Sequence, residues 1–413
     1  MLAVLKPQYI WPWTFDDIRA SFIVSLATLA GTGLAIVRGT VDLNRLKNTQ
    51  TFCVLGIWAF LHLSNLLTVY GAYDLPANMI PPEFIIEIFN TIAIFYILAV
   101  LLIDSSQKLN VFAWIIILSA IYLIYWANMI YLTGDMWKHQ IDGRLKGPGG
   151  YYSDNNVFAI FFVVAQPLIF YMGVYAKKSY LKYFLWLLIP FLWHAIFLTG
   201  SRGGLLSLFV VTFFMAWSLK SKGFSILLLI GLLVALVDQG GEILDRTEST
   251  IYKRQMISED EKIDPRIESW TVGLKITFDN PLFGVGTGRF QQAALDYGSN
   301  TPNVAHNTLL QISANSGIFP GFLYLLLFYN VIRLYFKHRA GISWNQSPEL
   351  PHVILEATVT SLLGFFVGAM FLDLLIFEPF YYLLALCFIA FSILDNKYHG
   401  SPHQAIKKRE ARS

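Results

Sequence analysis

Residues 181–219 read LKYFLWLLIPFLWHAIFLTGSRGGLLSLFVVTFFMAWSL. Two apolar runs, 181–198 and 204–219, flank the short polar junction TGSRG. At a rise of about 1.5 Å per residue, a run of about 18 residues extends to roughly 27 Å, close to the thickness of the hydrocarbon core of a bilayer. We therefore expect two membrane-spanning helices joined by a tight turn, with Arg202 at the water boundary.

The composition of the whole chain extends this interpretation. Of 413 residues, 55% are hydrophobic and only 14% are charged, whereas soluble domains carry about 25% charged residues. This much apolar surface must face lipid, which excludes an ordinary soluble enzyme. A net charge of +3 gives no basic field for nucleic acid. Cys53 and Cys387 lie far apart in apolar stretches and fit neither a disulfide framework nor a zinc site.

The same length criterion predicts about eleven to twelve transmembrane helices, and hence an all-α polytopic membrane protein. The candidate spans are 21–37, 51–70, 84–103, 110–132, 156–175, 181–198, 204–219, 223–238, 316–336, 353–374 and 377–394. Several of these runs are short, which is compatible with tilted or re-entrant helices as well as with simple crossing.

Lysine and arginine residues cluster in alternate loops, which predicts the orientation of the chain. The clusters are Arg38, Arg45 and Lys47; Lys177, Lys178 and Lys182; Lys220 and Lys222; Lys337 and Arg339; and Lys407, Lys408, Arg409 and Arg412. We assign them to the cytoplasm, which places loops 71–83, 133–155, 199–203 and 239–315 on the opposite face. An odd number of spans then puts the N-terminus outside, unless residues 1–16 enter the membrane as a hairpin.

Four regions follow from the hydropathy. They are an N-terminal membrane bundle of about eight spans at 1–238, a periplasmic loop domain at 239–315, C-terminal spans at 316–394, and a basic cytoplasmic tail at 395–413. In the loop domain, DPRIESWTVGLKITF predicts a helix that begins at Pro265 after an Asp264 cap. Its apolar residues recur at three- and four-residue steps, which favours an amphipathic helix on the membrane surface. These residues are Ile267, Trp270, Leu274 and Phe278.

A glycine-rich segment follows at 279–290, reading DNPLFGVGTGRF. Its glycines resemble a nucleotide-binding loop at first sight. The spacing does not match GxGxxG, because position 289 is arginine, and no strand and helix frame it. The sequence therefore does not favour nucleotide binding.

The loop 133–155 places Lys138, Arg144 and Lys146 on the face where the positive-inside rule expects few cations. One interpretation is that the nearby aspartates at 135, 142 and 154 neutralise them in a solvated loop. The other is an anion site, in which cationic side chains and backbone N–H groups converge. The sequence leaves both open.

Two further positions suggest chemistry. Arg202 lies between two apolar runs, and such arginines are functional by default, although snorkelling to lipid phosphate is the alternative. Gly203 and Gly204 would let a bulky anion approach the start of the following helix. His306, in AHNTLLQ, has an imidazole suited to accept a proton at neutral pH, although a lone histidine is usually an ordinary interfacial residue. Arg266 alone would be an ordinary surface arginine.

The ordered set SRGG, DPRIESW, NPLFGVGTGRF and AHNTLLQ resembles the O-antigen ligase and polymerase superfamily of membrane glycosyltransferases. The resemblance covers roughly residues 185–340. The segments KPQYIWPWTFDD and DGRLKGPGGYYSDNN are similar to the branch of O-glycosylation ligases associated with exosortase systems. Members commonly have further N-terminal spans and both termini in the cytoplasm, from which this chain departs.

The resemblance implies a C-type glycosyltransferase fold with a periplasmic cavity in the bacterial inner membrane. It implies a glycan donor on undecaprenyl diphosphate and a hydroxyl acceptor, with His306 as catalytic base and Arg202 and Arg266 required for transfer. We expect Arg144 or Lys146 to assist in binding the diphosphate, with inversion at the anomeric carbon and no cofactor. No DxD motif occurs, and the acidic run 259–261 fits a solvated segment, so we predict no metal requirement.

The acceptor is not encoded in any pattern that we can interpret. Ligation to lipid A-core is favoured, because no large acceptor-protein domain is present, while chain polymerisation and protein O-glycosylation share the same donor chemistry. A lipid or polysaccharide transporter is the competing class, against which the chain shows no inverted repeat and few charged residues in mid-span.

Overall fold

The computed structural model of the chain describes residues 2–15, 20–71, 80–219, 223, 225–226, 228–234, 236–237, 265–299, 303–339 and 349–399. The N-terminal helices are α1 (Leu2–Leu5), α2 (Pro7–Ile10), α3 (Pro12–Phe15), α4 (Ala20–Val37), α5 (Thr49–Leu67), α6 (Pro82–Leu102) and α7 (Ser106–Leu132). A short hairpin of β1 (Gln140–Ile141) and β2 (Arg144–Leu145) follows. The remaining helices are α8 (Asn155–Tyr175), α9 (Ser179–Thr199), α10 (Arg202–Ser218), α11 (Pro265–Asp279), α12 (Phe290–Asp296), α13 (Thr308–Ser316), α14 (Ile318–Arg339), α15 (Leu350–Ala369) and α16 (Glu378–His399).

In the described residues, eight helices are long and apolar enough to cross a membrane, namely α5–α9 and α14–α16. Two shorter apolar helices, Phe22–Val37 and Arg202–Ser218, coincide with two more predicted spans. The described residues of the span predicted at 223–238 are helical too. The predicted fold class, an all-α polytopic membrane protein, is confirmed.

Some predictions fall outside the described residues. These are most of loop 71–83, the part of the loop domain at 239–264 with its acidic run 259–261 and the cap Asp264, Lys220, Lys222, and the basic residues of the C-terminal tail.

The span predicted to run to residue 374 is wrong at its C-terminal end, because α15 stops at Ala369 and residues 370–377 form a loop. The prediction included residues 370–374 because most of them are apolar. The hydroxyl of Thr308 donates to the carbonyl oxygen of Leu372 at 2.7 Å and accepts from the backbone N–H of Leu374 at 2.9 Å. The loop therefore finds partners for its backbone on α13 rather than in a helix.

The core of the bundle is α8, most of whose residues are buried. It packs against α9, α10 and α15. Glycines allow the close approach: a Cβ added to Gly204 would lie 2.7 Å from the Cβ of Ala159, and one added to Gly368 would lie 2.4 Å from Ile160. Small residues at helix contacts are typical of membrane bundles. This packing fixes the relative positions of the helix ends that form the site.

The N-terminal segment lies at the end of the bundle where α8, α10 and α16 begin. Lys6 forms an ion pair with Glu378 at 2.5 Å, and the hydroxyl of Tyr152 donates to the carbonyl oxygen of Val4 at 3.0 Å. The segment is therefore on the same end as loop 133–155 and loop 370–377. We refer to this end of the helical bundle as the site end.

Candidate functional site

The junction between α9 and α10 presents Arg202. Gly200, with a φ of +57°, ends α9 in the left-handed region that glycine adopts without strain. Ser201 then caps α10 by accepting from the backbone N–H of Gly204 at 3.1 Å. Arg202 is exposed and forms no hydrogen bond or ion pair with any residue that the structure describes. Its guanidinium is thus available to an anion.

The role expected for Gly204 is corrected by its surroundings. Its N–H is already bound by Ser201, and its Cα faces Ala159 of α8, so it serves the contact between α10 and α8. Gly203 is different, because the nearest side-chain atom to an added Cβ is the Cβ of Phe371 at 3.6 Å. Any space for a ligand at the start of α10 is therefore beside Gly203.

His306 lies in a turn that precedes α13 and has a φ of +48°, which is uncommon for a residue other than glycine. Anchors on both sides hold this turn. The backbone N–H of Ala305 donates to Oε1 of Gln311 at 2.7 Å, and the Asn307 side chain caps α13 by accepting from the N–H of Leu310 at 3.1 Å. Backbone strain kept in place by its surroundings is frequent at functional sites.

Burial and the nearby Arg266 favour the neutral form of His306. Burial is the main cause that lowers its pKa below the ordinary value, and the nearby Arg266 lowers it further, while Asp154 acts in the opposite direction. A neutral imidazole at neutral pH can accept a proton. Asp154 also caps α8, accepting from the N–H groups of Asn156 at 2.7 Å and Val157 at 3.0 Å.

Loop 370–377 connects Arg202 with His306. The side-chain amide of Asn307, the neighbour of His306, donates to the carbonyl oxygen of Met370 at 3.4 Å. The next residue, Phe371, faces Gly203 beside Arg202. The structure thus brings positions 202, 266 and 306 to the site end of the bundle. Their roles in catalysis stay predictions.

Loop 133–155 agrees in part with charge neutralisation. Lys138 pairs with Asp135 at 2.7 Å, and Arg144 approaches Asp142 at 3.4 Å. The third aspartate does not complete this pattern, since Asp154 caps α8 and acts electrostatically on His306.

The β-hairpin packs against α9 through β2, where Leu145 is fully buried. Within the described part of the chain, neither Arg144 nor Lys146 forms a side-chain hydrogen bond or ion pair with the residues around His306. Burial lowers the pKa of the His139 imidazole, and the nearby Lys146 lowers it further. A role for Arg144 or Lys146 in anion binding stays a prediction.

The helix predicted from Pro265 is confirmed as α11, and it has two distinct faces. Ser269, Val272 and Ile276 are buried on the side that packs against α13. The predicted apolar residues Ile267 and Phe278 are 56% and 71% exposed. An exposed apolar stripe on a membrane protein is compatible with contact to the lipid surface. Arg266 follows Pro265 at the start of this helix and is half-buried.

The sequence did not single out Gln311 or loop 370–377 as parts of this site. The signal for Asp154 was present, because an aspartate directly before a long apolar run is a typical helix cap. No local pattern indicates that Gln311 anchors the residue before His306, since that bond closes only when the turn folds back on α13.

The fold and this site define a polytopic membrane protein whose polar chemistry is concentrated at one end of a helical bundle. Residues 183–326 match the family model described as O-antigen ligase. The matched segment contains Arg202, Arg266 and His306, while Arg144 and Lys146 precede it. The resemblance to the O-antigen ligase and polymerase superfamily is thereby confirmed. No curated protein matches the chain.

Proposed function

We propose that this protein moves a glycan from undecaprenyl diphosphate to an acceptor hydroxyl on the periplasmic face of the bacterial inner membrane. Lipid A-core is the proposed acceptor, which makes the protein an O-antigen ligase. The observation that carries the proposal is the position of His306. Its imidazole is held neutral by burial and by Arg266, at the end of the bundle where Arg202 is exposed and has no partner among the described residues.

His306 is the proposed general base. It accepts the proton of the acceptor hydroxyl while the hydroxyl oxygen attacks the anomeric carbon. The bond from that carbon to the diphosphate oxygen breaks, and its electron pair leaves with the lipid diphosphate. A single displacement of this kind inverts the anomeric centre. General-base catalysis contributes typically about 10² to 10⁴ in rate.

Arg202 and Arg266 are the proposed diphosphate ligands. Guanidinium groups form charge-assisted and bidentate hydrogen bonds with phosphate oxygens, and such bonds strengthen as negative charge develops on the leaving group. Arg144 or Lys146 would extend the same positive surface from the β-hairpin. In this proposal the arginines stabilise the charge that a divalent metal stabilises in other sugar transferases, so no metal or cofactor is required.

The test is a transfer assay with the purified full-length protein in detergent, an undecaprenyl-diphosphate glycan and three acceptors. The acceptors are lipid A-core, the growing glycan and a peptide hydroxyl, and the acceptor that is used separates ligase from polymerase and protein transferase. We expect Arg202→Gln and Arg266→Gln to reduce transfer about 10²-fold or more. The exposed Lys275→Gln on α11 is the matched control and should retain full activity.

Two results would contradict this proposal. Full transfer by Arg202→Gln and Arg266→Gln would show that these arginines do not bind the diphosphate. Loss of transfer on treatment with a chelator would show that the reaction requires a metal. Transfer in detergent, where no gradient exists, would exclude a pure transporter.

A further inference from the structure

Arg289, in the glycine-rich segment, is a buried cation that the transfer reaction does not use. It is 3% exposed. Its Nε and Nη1 atoms are inaccessible to solvent and form no hydrogen bond with the described residues. A guanidinium stays protonated and carries five N–H donors. A buried donor without an acceptor is costly, and a buried charge without a partner more so. We therefore expect an anionic hydrogen-bond acceptor to bind the guanidinium of Arg289.

The glycines fix this arginine in place. Gly284, Gly286 and Gly288 have φ values of +65°, +116° and +72°. A Cβ added to Gly284 would lie 2.3 Å from the backbone carbonyl carbon of Asn315, and one added to Gly286 would lie 2.4 Å from the hydroxyl oxygen of Thr68. The turn is therefore in close contact with the ends of α5 and α13, which fixes the backbone of Arg289.

The N-terminus of α6 lies against the same turn. A Cβ on Gly288 would be 3.3 Å from the Cα of Pro82, and no side chain caps the first turn of this 21-residue helix. The N-terminal end of a helix carries partial positive charge, which attracts anions. In α6, Pro82 has no N–H and the N–H groups of Phe84 and Ile85 donate to the carbonyl oxygen of Pro81, so the N–H of Glu83 is the donor of this turn that no described residue accepts. Burial lowers the pKa of Arg289, and the exposed Glu83 opposes that shift without forming an ion pair in the described residues.

We propose that Arg289 and the first turn of α6 form an oxyanion-binding subsite that takes a phosphate group at the membrane boundary. It is separate from the site around His306. Phe290 donates its backbone N–H to Oδ1 of Asn315 at 2.9 Å, at the C-terminal end of α13, whereas His306 precedes the N-terminal end. The nine residues of α13 span roughly 13 Å. The phosphate belongs either to a phosphorylated glycolipid or to a phospholipid headgroup.

The binding test does not depend on glycosyl transfer. The full-length protein carrying Arg202→Gln and Arg266→Gln, in uncharged detergent, is titrated with inorganic phosphate while its unfolding temperature is measured. Phosphate that binds only the folded state raises this temperature. We expect the rise to be lost with Arg289→Gln and kept with Lys275→Gln. A rise that survives Arg289→Gln, or that chloride of equal ionic strength reproduces, overturns the proposal.

A second variant covers the case in which Arg289→Gln does not fold. Glu83 is exposed, so Glu83→Gln should fold normally while removing the acid that competes with phosphate. We expect phosphate to bind this variant several-fold more tightly. Unchanged or weaker phosphate binding by Glu83→Gln overturns the proposal.

Two further arms identify the source of the phosphate. Micelles doped with phosphatidylglycerol are compared with micelles doped with diacylglycerol, and an Arg289-dependent stabilisation by the former alone assigns a phospholipid headgroup. In the transfer assay, Arg289→Gln should raise KM about tenfold for a phosphorylated acceptor, with kcat unchanged, and should not affect its dephosphorylated form. If the wild type transfers nothing, the proposed function fails while the thermal result stands.

Discussion

The two ends of α13 hold positive charge in opposite ways. At the N-terminal end, Arg202 is exposed, and His306 lies in a strained turn held by side-chain hydrogen bonds. At the C-terminal end, Arg289 is buried behind a turn of three glycines in contact with backbone. The N-terminal end is accessible to solvent, and side-chain hydrogen bonds hold its turn. The C-terminal end is buried, and close backbone contacts of the glycines hold its turn.

This difference indicates how the two ends respond to substitution. A group that exchanges protons and binds a departing diphosphate needs access, which the N-terminal end provides. A buried cation next to a rigid turn can bind a phosphate in one position, but it cannot move with a group that leaves during a reaction. Substitutions at the His306 end should therefore change catalysis with little change in stability, and backbone substitutions at the Arg289 end should do the reverse.

The largest expected effect is on the rate of transfer. His306→Asn removes the proposed base but keeps a residue that tolerates a positive φ. We expect kcat to fall about 10²- to 10⁴-fold, with an unchanged unfolding temperature. His139→Asn, which alters the histidine directly before β1 at the same end of the bundle, is the matched control. A near-normal kcat in His306→Asn would show that His306 is not the general base.

The next effect is on stability at the other end of α13. Gly284→Ala forces a Cβ onto the carbonyl carbon of Asn315 as well as a left-handed alanine, and we expect it to cost about 3 kcal/mol of unfolding free energy. Gly298→Ala has a φ of +80° but nothing within 4 Å, so it should cost only about 1 kcal/mol. Equal losses in thermal or denaturant unfolding would show that the close contact with Asn315 is unimportant.

A smaller effect concerns the anchor of the His306 turn. Gln311→Leu removes the acceptor for the backbone N–H of Ala305. We expect kcat to fall about tenfold, since one hydrogen bond is worth about 1 kcal/mol or somewhat more, while KM for the donor changes little. A loss confined to KM would indicate that Gln311 acts on binding instead of on the position of His306.

The smallest effect is on the pH profile. The base must be neutral, so kcat/KM falls as the pH drops through the pKa of His306, which lies below the ordinary value of about 6.5. Removing the cation in Arg266→Gln raises this pKa and moves the acidic limb to higher pH. Removing the anion in Asp154→Asn, which still caps α8, moves it to lower pH. Shifts in the same direction for both variants would contradict this electrostatic account.

Much of the fold could be predicted because lipid imposes a simple rule on the chain. Runs such as 156–175 and 181–198 have to be helical, since no other structure satisfies their backbone groups in hydrocarbon. The end of α15 could not be predicted in this way. Residues 370–374 are mostly apolar, yet they form a loop because Thr308, more than 60 residues earlier in the chain, binds their backbone.

The candidate site divides similarly. Arg202 and His306 were found as polar side chains at the ends of apolar runs, and the family match includes both. The expected anion role of Gly204 was wrong, because α8 occupies the space beside it. In the sequence, Arg289 is only the residue that breaks the nucleotide motif. Its burial could not be predicted, because the turn around it contacts Thr68 and Pro82, which are more than 200 residues away in the chain.

The sequence by itself determined that the chain crosses a membrane as helices and which polar groups lie at their ends, because apolar run length and residue chemistry are local properties. Only the tertiary structure decided that Asp154 and Arg266 act on His306 and that loop 370–377 connects it with Arg202. It also decided that Nε and Nη1 of Arg289 are buried without a partner among the described residues. Charge and burial depend on distances through space, and those distances are set when distant helices pack around α8.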